Sequence, residues 1–344
     1  MRAVVIHKAH DLRIDEAAAA EPGPGQVRVR IETGGICGSD LHYFHAGGFG
    51  AVRLQEPMVL GHEVAGRVEQ IGAGVARLSV GDRVAVSPSR PCTTCRYCQA
   101  GQQMHCLDMH FYGSAMRFPH VQGAFRELLV AEENQCHVVP ATLTAGEAAM
   151  AEPLAVCLHA ARRAGPLLGR RVLVTGSGPI GALCVLATRR AGAAEVVATD
   201  LSDAPSALLL QLGADRFINV ARETGALAAY GTDKGTFDVV LEASGSDKAL
   251  VAALDVVRPQ GIIVQVGLGG TATLPLNTLV AKEIELRGTF RFHEEFALGV
   301  ELLAKRLIDV RPLISATLPF TEAQEAFELA SDRARSMKVQ LAFS

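Results

Sequence analysis

The chain has 344 residues, enough for two domains that each bury a sizeable apolar core. With 49% hydrophobic and 20% charged residues it is not a disordered chain, and a formal net charge of −3 without a basic block leaves no footprint for nucleic acid or an anionic membrane surface. No run of roughly 18 charge-free apolar residues occurs, and the amino-terminal MRAVVIHKAHDLRI alternates apolar and polar residues, so a cytoplasmic protein with a small-molecule partner is expected.

The first part reads as short strands at residues 4–6, at Val27, Val29 and Ile31 with period two, at 64–71 and at 84–86, with turns at residues 22–25 and Gly81. Four of the eight cysteines crowd between Cys92 and Cys106, a spacing that suits a metal better than disulfides in a reducing compartment. A helix over 147–164 is expected to join two domains. From about Gly165 the pattern changes to apolar strand, glycine turn and apolar helix, with strands in RRVLVTG, EVVATD, FDVVLEA, GIIVQVG and IELRGTF. A helix at 296–307 and a strand at 338–342 do not continue that unit and return to the first domain. The expected fold is therefore α/β, a doubly wound parallel sheet of the Rossmann type at 156–291 inserted in a mainly-β domain of 1–155 plus 292–344.

Gly176, Gly178 and Gly181 form G-x-G-x-x-G directly after an apolar strand and at the start of a helix, with Pro179 and Ile180 inside the junction. The first glycine permits a tight turn, the second lets the backbone approach a pyrophosphate, and the third allows close helix packing on the sheet. Asp200 ends the next strand, where a carboxylate binds the adenosine ribose hydroxyls and repels a 2′-phosphate; Leu201 and Ser202 supply no arginine to welcome one, so NAD is the expected cofactor.

Cys92, Cys95, Cys98 and Cys106 read C-x2-C-x2-C-x7-C, and four thiolates on one loop can close a tetrahedral shell around a structural zinc. Thiolates also suit an iron–sulfur cluster, but the spacing lacks the x3-C-P ending of the bacterial ferredoxin run. Cys37 in GICGSD, His62 and Glu63 in GHE, and Glu152 in AEPL are far apart in sequence. Each has an ordinary structural explanation when taken singly.

Together, in this order around the four-cysteine loop and before GSGPIG, these residues resemble the zinc-containing medium-chain dehydrogenase/reductase family over essentially the whole chain. GHEVAGRVEQIGAGV is similar to the zinc alcohol dehydrogenase signature, and CGSDLHY, GHE and AEPL resemble the sorbitol dehydrogenase branch. The resemblance implies a GroES-like catalytic domain and assembly into a dimer or tetramer, with homotetramer the form expected. It also implies a catalytic zinc held by Cys37, His62 and Glu63, with Glu152 a ligand directly or through water. The resemblance carried by the segments HYFHAGGFG, CRYCQAGQQMHC and FYGSAMRFPHVQGAF implies, among polyols and sugar acids, L-idonate as the substrate, oxidised to 5-keto-D-gluconate.

Within that frame Ser39, two residues after Cys37, is the first candidate for relaying the substrate proton and His42 the next; Arg291 would bind a sugar-acid carboxylate through paired hydrogen bonds, and Tyr43 would donate to a sugar hydroxyl. Asp203, Ala204 and Pro205 stand where the family often has a basic residue, which leaves the preference for NAD resting on Asp200. The alternatives are a dehydrogenase of sorbitol, xylitol, butanediol or threonine, and a catalytically silent NAD-binding protein. A metal-free quinone reductase would lack the cysteine loop and the GHE.

Overall fold

The two hydrophobic periodicities of the sequence separate into two units in the computed structural model, which describes residues 1–343. One unit comprises Met1–Glu152, Phe296–Asp332 and the chain from Lys338 onward; the other comprises Pro153–Glu295 and Arg333–Met337.

The long strand Gln26–Gly35 is the axis of the first unit. It pairs antiparallel with Glu63–Ile71 along one edge, while its other edge takes Leu128–Glu132 on the first half and Lys338–Ala342 on the second. Val27, Val29 and Ile31 alternate inward and are fully buried, as the period-two pattern requires. Gly35 faces Glu63 on one side and Gln340 on the other, so this end of the axis strand brings Glu63 and the strand of Lys338 together. A Cβ on Gly35 would collide with the Glu63 carboxylate, which is why only glycine leaves that side chain room.

The second unit contains six parallel strands in the spatial order Arg216–Asn219, Glu195–Asp200, Arg171–Thr175, Phe237–Glu242, Val257–Gln265 and Glu285–Gly288. Leu173, Val197, Val240 and Ile263 are buried on both sheet faces by helices such as Asp247–Val256. The order reverses between Arg171–Thr175 and Phe237–Glu242, where doubly wound sheets take their ligands.

Several elements differ from the sequence reading. Arg216–Asn219 was not anticipated as a strand: it has four residues, lies at the sheet edge, and opens on an exposed arginine. The helix expected at 147–164 is interrupted at Met150 into Ala145–Ala149, capped by reciprocal bonds between Thr144 and Glu147, and Ala151–Ala164. The helix expected at 296–307 spans Glu295–Ala304.

Candidate metal centres and dinucleotide site

Cys37, His62 and Glu63 converge although 25 residues of sequence separate the first two (62 − 37): a sulfur, an imidazole nitrogen and a carboxylate oxygen lie within 4.8 Å of one another. Cys37 is the N-cap of the helix Gly38–Ala46, and Asp40 at the third helical position returns the bond, accepting from the Cys37 N–H at 3.0 Å. The other Asp40 oxygen accepts from the Gly61 N–H at 3.2 Å and faces His62 Nδ1 at 3.8 Å, beyond hydrogen-bonding distance. His62 Nδ1 is buried without a hydrogen-bond partner.

Both Glu63 oxygens accept from Lys338 Nζ, at 2.8 and 2.7 Å, and the same ammonium donates to the Ile36 carbonyl at 3.0 Å. Burial alone would lower the Lys338 ammonium, but the Glu63 and Cys37 charges outweigh it and hold it above its ordinary value. Burial, reinforced by Glu63, pushes the Cys37 thiol up to about 12, and burial pushes the Glu152 carboxyl up to about 8 against the pull of His62. Glu152 thus shares the electrostatic surroundings of Cys37, His62 and Glu63 without belonging to the set within 4.8 Å. A buried thiol and carboxyl raised in this way are groups that a divalent cation would ionise, so the donor set fits a zinc ion.

The four cysteine sulfurs of the second cluster also lie within 4.8 Å of one another. The loop aims backbone donors at them: the Cys95 N–H reaches Cys92 Sγ at 3.3 Å, and the Cys92 and Asp108 N–H groups reach Cys106 Sγ at 3.1 and 3.3 Å. Hydrogen bonds from Thr94 and Cys95 lower the Cys92 thiol to about 6, whereas burial raises Cys98 to about 12. Four soft donors with no carboxylate or imidazole among them fit a closed tetrahedral site.

In the second unit Gly176 adopts φ +81° and a Cβ there would meet the Ser244 Cα and N at 2.7 Å, so the turn accepts only glycine. A Cβ on Gly178 would meet no protein atom, which leaves open the face a pyrophosphate would approach. Gly178 is also the N-cap of the helix Pro179–Arg190 and brings no side chain to that end, where proline occupies the first turn. One Asp200 oxygen accepts from the Ser177 N–H at 2.7 Å, and the other accepts from Leu201 and Ser202. The carboxylate is thereby fixed beside the glycine loop and keeps acceptor capacity for ribose hydroxyls.

Ser39 is half-buried and draws the Cys37 thiol down slightly against burial, and His42, one helical turn on, is exposed. Arg291 is half-buried in the second unit with its guanidinium 4.9 Å from the Phe290 ring centroid, and the neighbouring Glu294 binds Arg162 at 2.9 Å. Tyr43 departs from its expected role. Its ring is 1% exposed and its hydroxyl oxygen accepts the Ala115 N–H at 3.0 Å, so it braces that loop against the helix instead of presenting itself to a sugar. Two residues escaped the sequence reading. Asp40 carries a local signal, since C-x-x-D at a helix start is a capping pattern, whereas Lys338 has none.

Residues 23–141 match the alcohol dehydrogenase GroES-like domain and residues 179–305 match the zinc-binding dehydrogenase domain. The chain is 46% identical over 316 residues to the L-idonate 5-dehydrogenase (NAD(P)(+)) of Escherichia coli strain K12, covering 92% of this chain and 91% of that protein. It is 37% identical over 343 residues to the sorbitol dehydrogenase of Gallus gallus, covering 98% and 95%. The crystal structure of Escherichia coli L-idonate 5-dehydrogenase superposes with a TM-score of 0.95 at 42% identity, covering 99% of this chain and 97% of that one. The second of these domains is a zinc-binding one by its description, and the Escherichia coli relative is named for NAD(P)(+), in agreement with the zinc and the nicotinamide dinucleotide expected from the sequence. The chain belongs to the zinc-dependent, NAD-linked alcohol and polyol dehydrogenases of the medium-chain family, with a GroES-like domain and a Rossmann domain.

Proposed function

We propose that the protein oxidises the secondary alcohol of a sugar acid, L-idonate, to 5-keto-D-gluconate with NAD as hydride acceptor. The observation that carries this reading is the cluster of half-buried Cys37 with buried His62 and Glu63, with Glu152 beside it, in which glutamate stands where a second cysteine would serve simple alcohols. The 46% identity to an L-idonate 5-dehydrogenase favours the sugar acid over the other polyols. Assembly as a dimer or tetramer and a cytoplasmic location belong to the same reading; no helix among the described residues is long and apolar enough to cross a membrane.

Cys37, His62 and Glu63, with Glu152 directly or through water, would hold a zinc ion that supplies Lewis acidity toward the substrate hydroxyl, and the dinucleotide supplies the carbon that accepts hydride. The protein's own part is to position and to move a proton. Ser39 follows Cys37 by two residues and His42 is exposed one turn further along the same helix, so the relay we assign takes the hydroxyl proton from Ser39 Oγ to the imidazole and then to solvent. Arg291 supplies a planar pair of donors for the carboxylate that distinguishes a sugar acid from a polyol. Gly176, Gly178, Pro179, Ile180 and Gly181 shape the anion end of the cofactor site, and Asp200 selects the unphosphorylated ribose. Cys92, Cys95, Cys98 and Cys106 would hold a second zinc that organises their loop.

The test is initial rates of NAD and NADP reduction with L-idonate, sorbitol, xylitol, threonine and 2,3-butanediol, before and after chelation. Turnover of L-idonate with NAD that chelation abolishes is the expected result. Preference for another alcohol of the panel overturns the substrate, and turnover indifferent to chelation overturns the metal.

A further inference from the structure

A single carboxylate sits where three turns meet at the carboxyl ends of the parallel strands. Glu242 is 0% exposed and ends the strand Phe237–Glu242, in register with Thr175 across the point where the strand order reverses. Its Oε1 accepts from the Thr175 hydroxyl at 3.2 Å, the Ser244 N–H at 2.9 Å and the Ser244 hydroxyl. Its Oε2 accepts from the Gly245 N–H at 3.0 Å and the Gln265 side-chain amide, and its backbone carbonyl accepts from the Val266 and Gly267 N–H groups at 2.8 Å. Every donor is neutral, and among the described residues no lysine, arginine or histidine is paired with this carboxylate.

A buried anion without a cation is costly unless its lone pairs are met, so its donors are the clue to its task. They come from the 244–245 turn and from Gln265, with Thr175 leading into the glycine loop. These turns interleave: a Cβ on Gly176 would meet Ser244, and one on Gly267 would run into the Gly245 backbone. The Gln265 amide is oriented by Glu242 and the Gly267 carbonyl, for its Oε1 is buried without a partner. A cavity of about 320 Å³ opens beside them, lined by Gly245, Ser246, Gln265, Gly267 and Leu268.

We propose that Glu242 is a positioning residue of the dinucleotide site, its carboxylate fixing the 244–245 and 265–267 turns against the glycine loop so that the crevice has its shape before the dinucleotide arrives. This rests on the reading that the glycine loop binds NAD. In Glu242→Gln an NH2 group must face N–H donors on one side, so the turns separate while the side-chain volume is kept.

The experiment is a titration of zinc-loaded full-length protein with NADH, followed by nicotinamide fluorescence, together with steady-state kinetics. Glu242→Gln should weaken NADH by about tenfold and raise the KM for NAD in parallel, the loss falling on KM and not on kcat. Gln265→Met, a milder change that decides the matter if Glu242→Gln does not fold, should weaken NADH by about threefold. Wild-type NADH affinity in both variants, or a fall in kcat at unchanged KM for NAD, overturns the proposal. Asp200→Ala is the control. If it weakens NADH while the other two do not, Glu242 loses its role and the cofactor site stands; if none of the three weakens NADH, both readings fall.

Discussion

Lys338 donates to both carboxylate oxygens of Glu63, at 2.7 and 2.8 Å, from a strand 275 residues further along the chain. Both side chains are almost completely buried, so each charge depends on the other. Removing one partner of such a pair strands a buried charge, and Lys338→Met is expected to destabilise the chelated protein by about 3 kcal/mol. Zinc returns positive charge beside Glu63, so the zinc-loaded variant should recover part of that loss. Thermal melts of both proteins with and without zinc check this; a deficit unchanged by the metal would separate Glu63 from the metal centre.

Cys37 combines two tasks, capping a helix and offering its sulfur to His62 and Glu63. Serine can keep the cap but binds zinc far more weakly than a thiolate. Cys37→Ser should therefore reduce kcat by at least about a thousandfold, lose one zinc per chain and bind NADH as the wild type does. Metal analysis beside an NADH titration reads both; full activity would remove Cys37 from the metal.

Much of this site was legible in the sequence, and the reasons differ by residue. The glycine loop and Asp200 are contiguous with their strands, so strand–turn–helix grammar finds them. The four cysteines lie within one loop, and spacing alone marks them as one metal site. Cys37, His62, Glu63 and Glu152 needed a family resemblance, because they come from a helix cap, a strand start and a second helix that are distant in sequence. Lys338 was out of reach: a lysine in a terminal strand is normally solvated, and only the pairing of Gly35 with Gln340 and Glu63 reveals that this one is buried against a carboxylate. Tyr43 misled for the converse reason, since a tyrosine near a metal ligand suggests a substrate contact while helix periodicity turns it into the core.

Cys95 belongs to a loop whose backbone donors already point at sulfur, an arrangement that is productive only when thiolates share a cation. Cys95→Ser should lose one zinc per chain and lower the melting temperature by several degrees, for a loss of about 2 kcal/mol. A fully stable variant with unchanged metal content would show that the cluster is not a zinc site.

Asp200 holds the Ser177 N–H and its own following turn, and the proposed function assigns its remaining acceptor capacity to the ribose. Asp200→Ala removes acceptors that serve NAD and a charge that repels the 2′-phosphate of NADP. The ratio of kcat/KM for NADP to that for NAD is expected to rise by about tenfold or more, with most of the change in a raised KM for NAD. Equal losses for the two cofactors would take Asp200 away from the ribose.

Glu295 offers a pH test that involves none of the candidate metal ligands. Burial pushes its carboxyl up, but the hydrogen bonds from His159, at 3.1 Å, and from the His293 backbone outweigh burial and bring it from the ordinary 4.5 down to about 2. Arg162 adds an ion pair at 3.0 Å. Because the folded value lies below the unfolded one, the unfolded chain binds more protons between them, and the contribution is complete above about pH 4.5 and disappears as the pH falls toward 2. Glu295→Gln should cost on the order of 2 kcal/mol near neutrality, and the gap between wild type and variant should narrow below pH 4.5. Urea denaturation of both proteins at a series of pH values from 3 to 7 reads that gap directly. A gap that stays constant across the acid range would mean that the Glu295 carboxylate is not held by His159 in the folded protein.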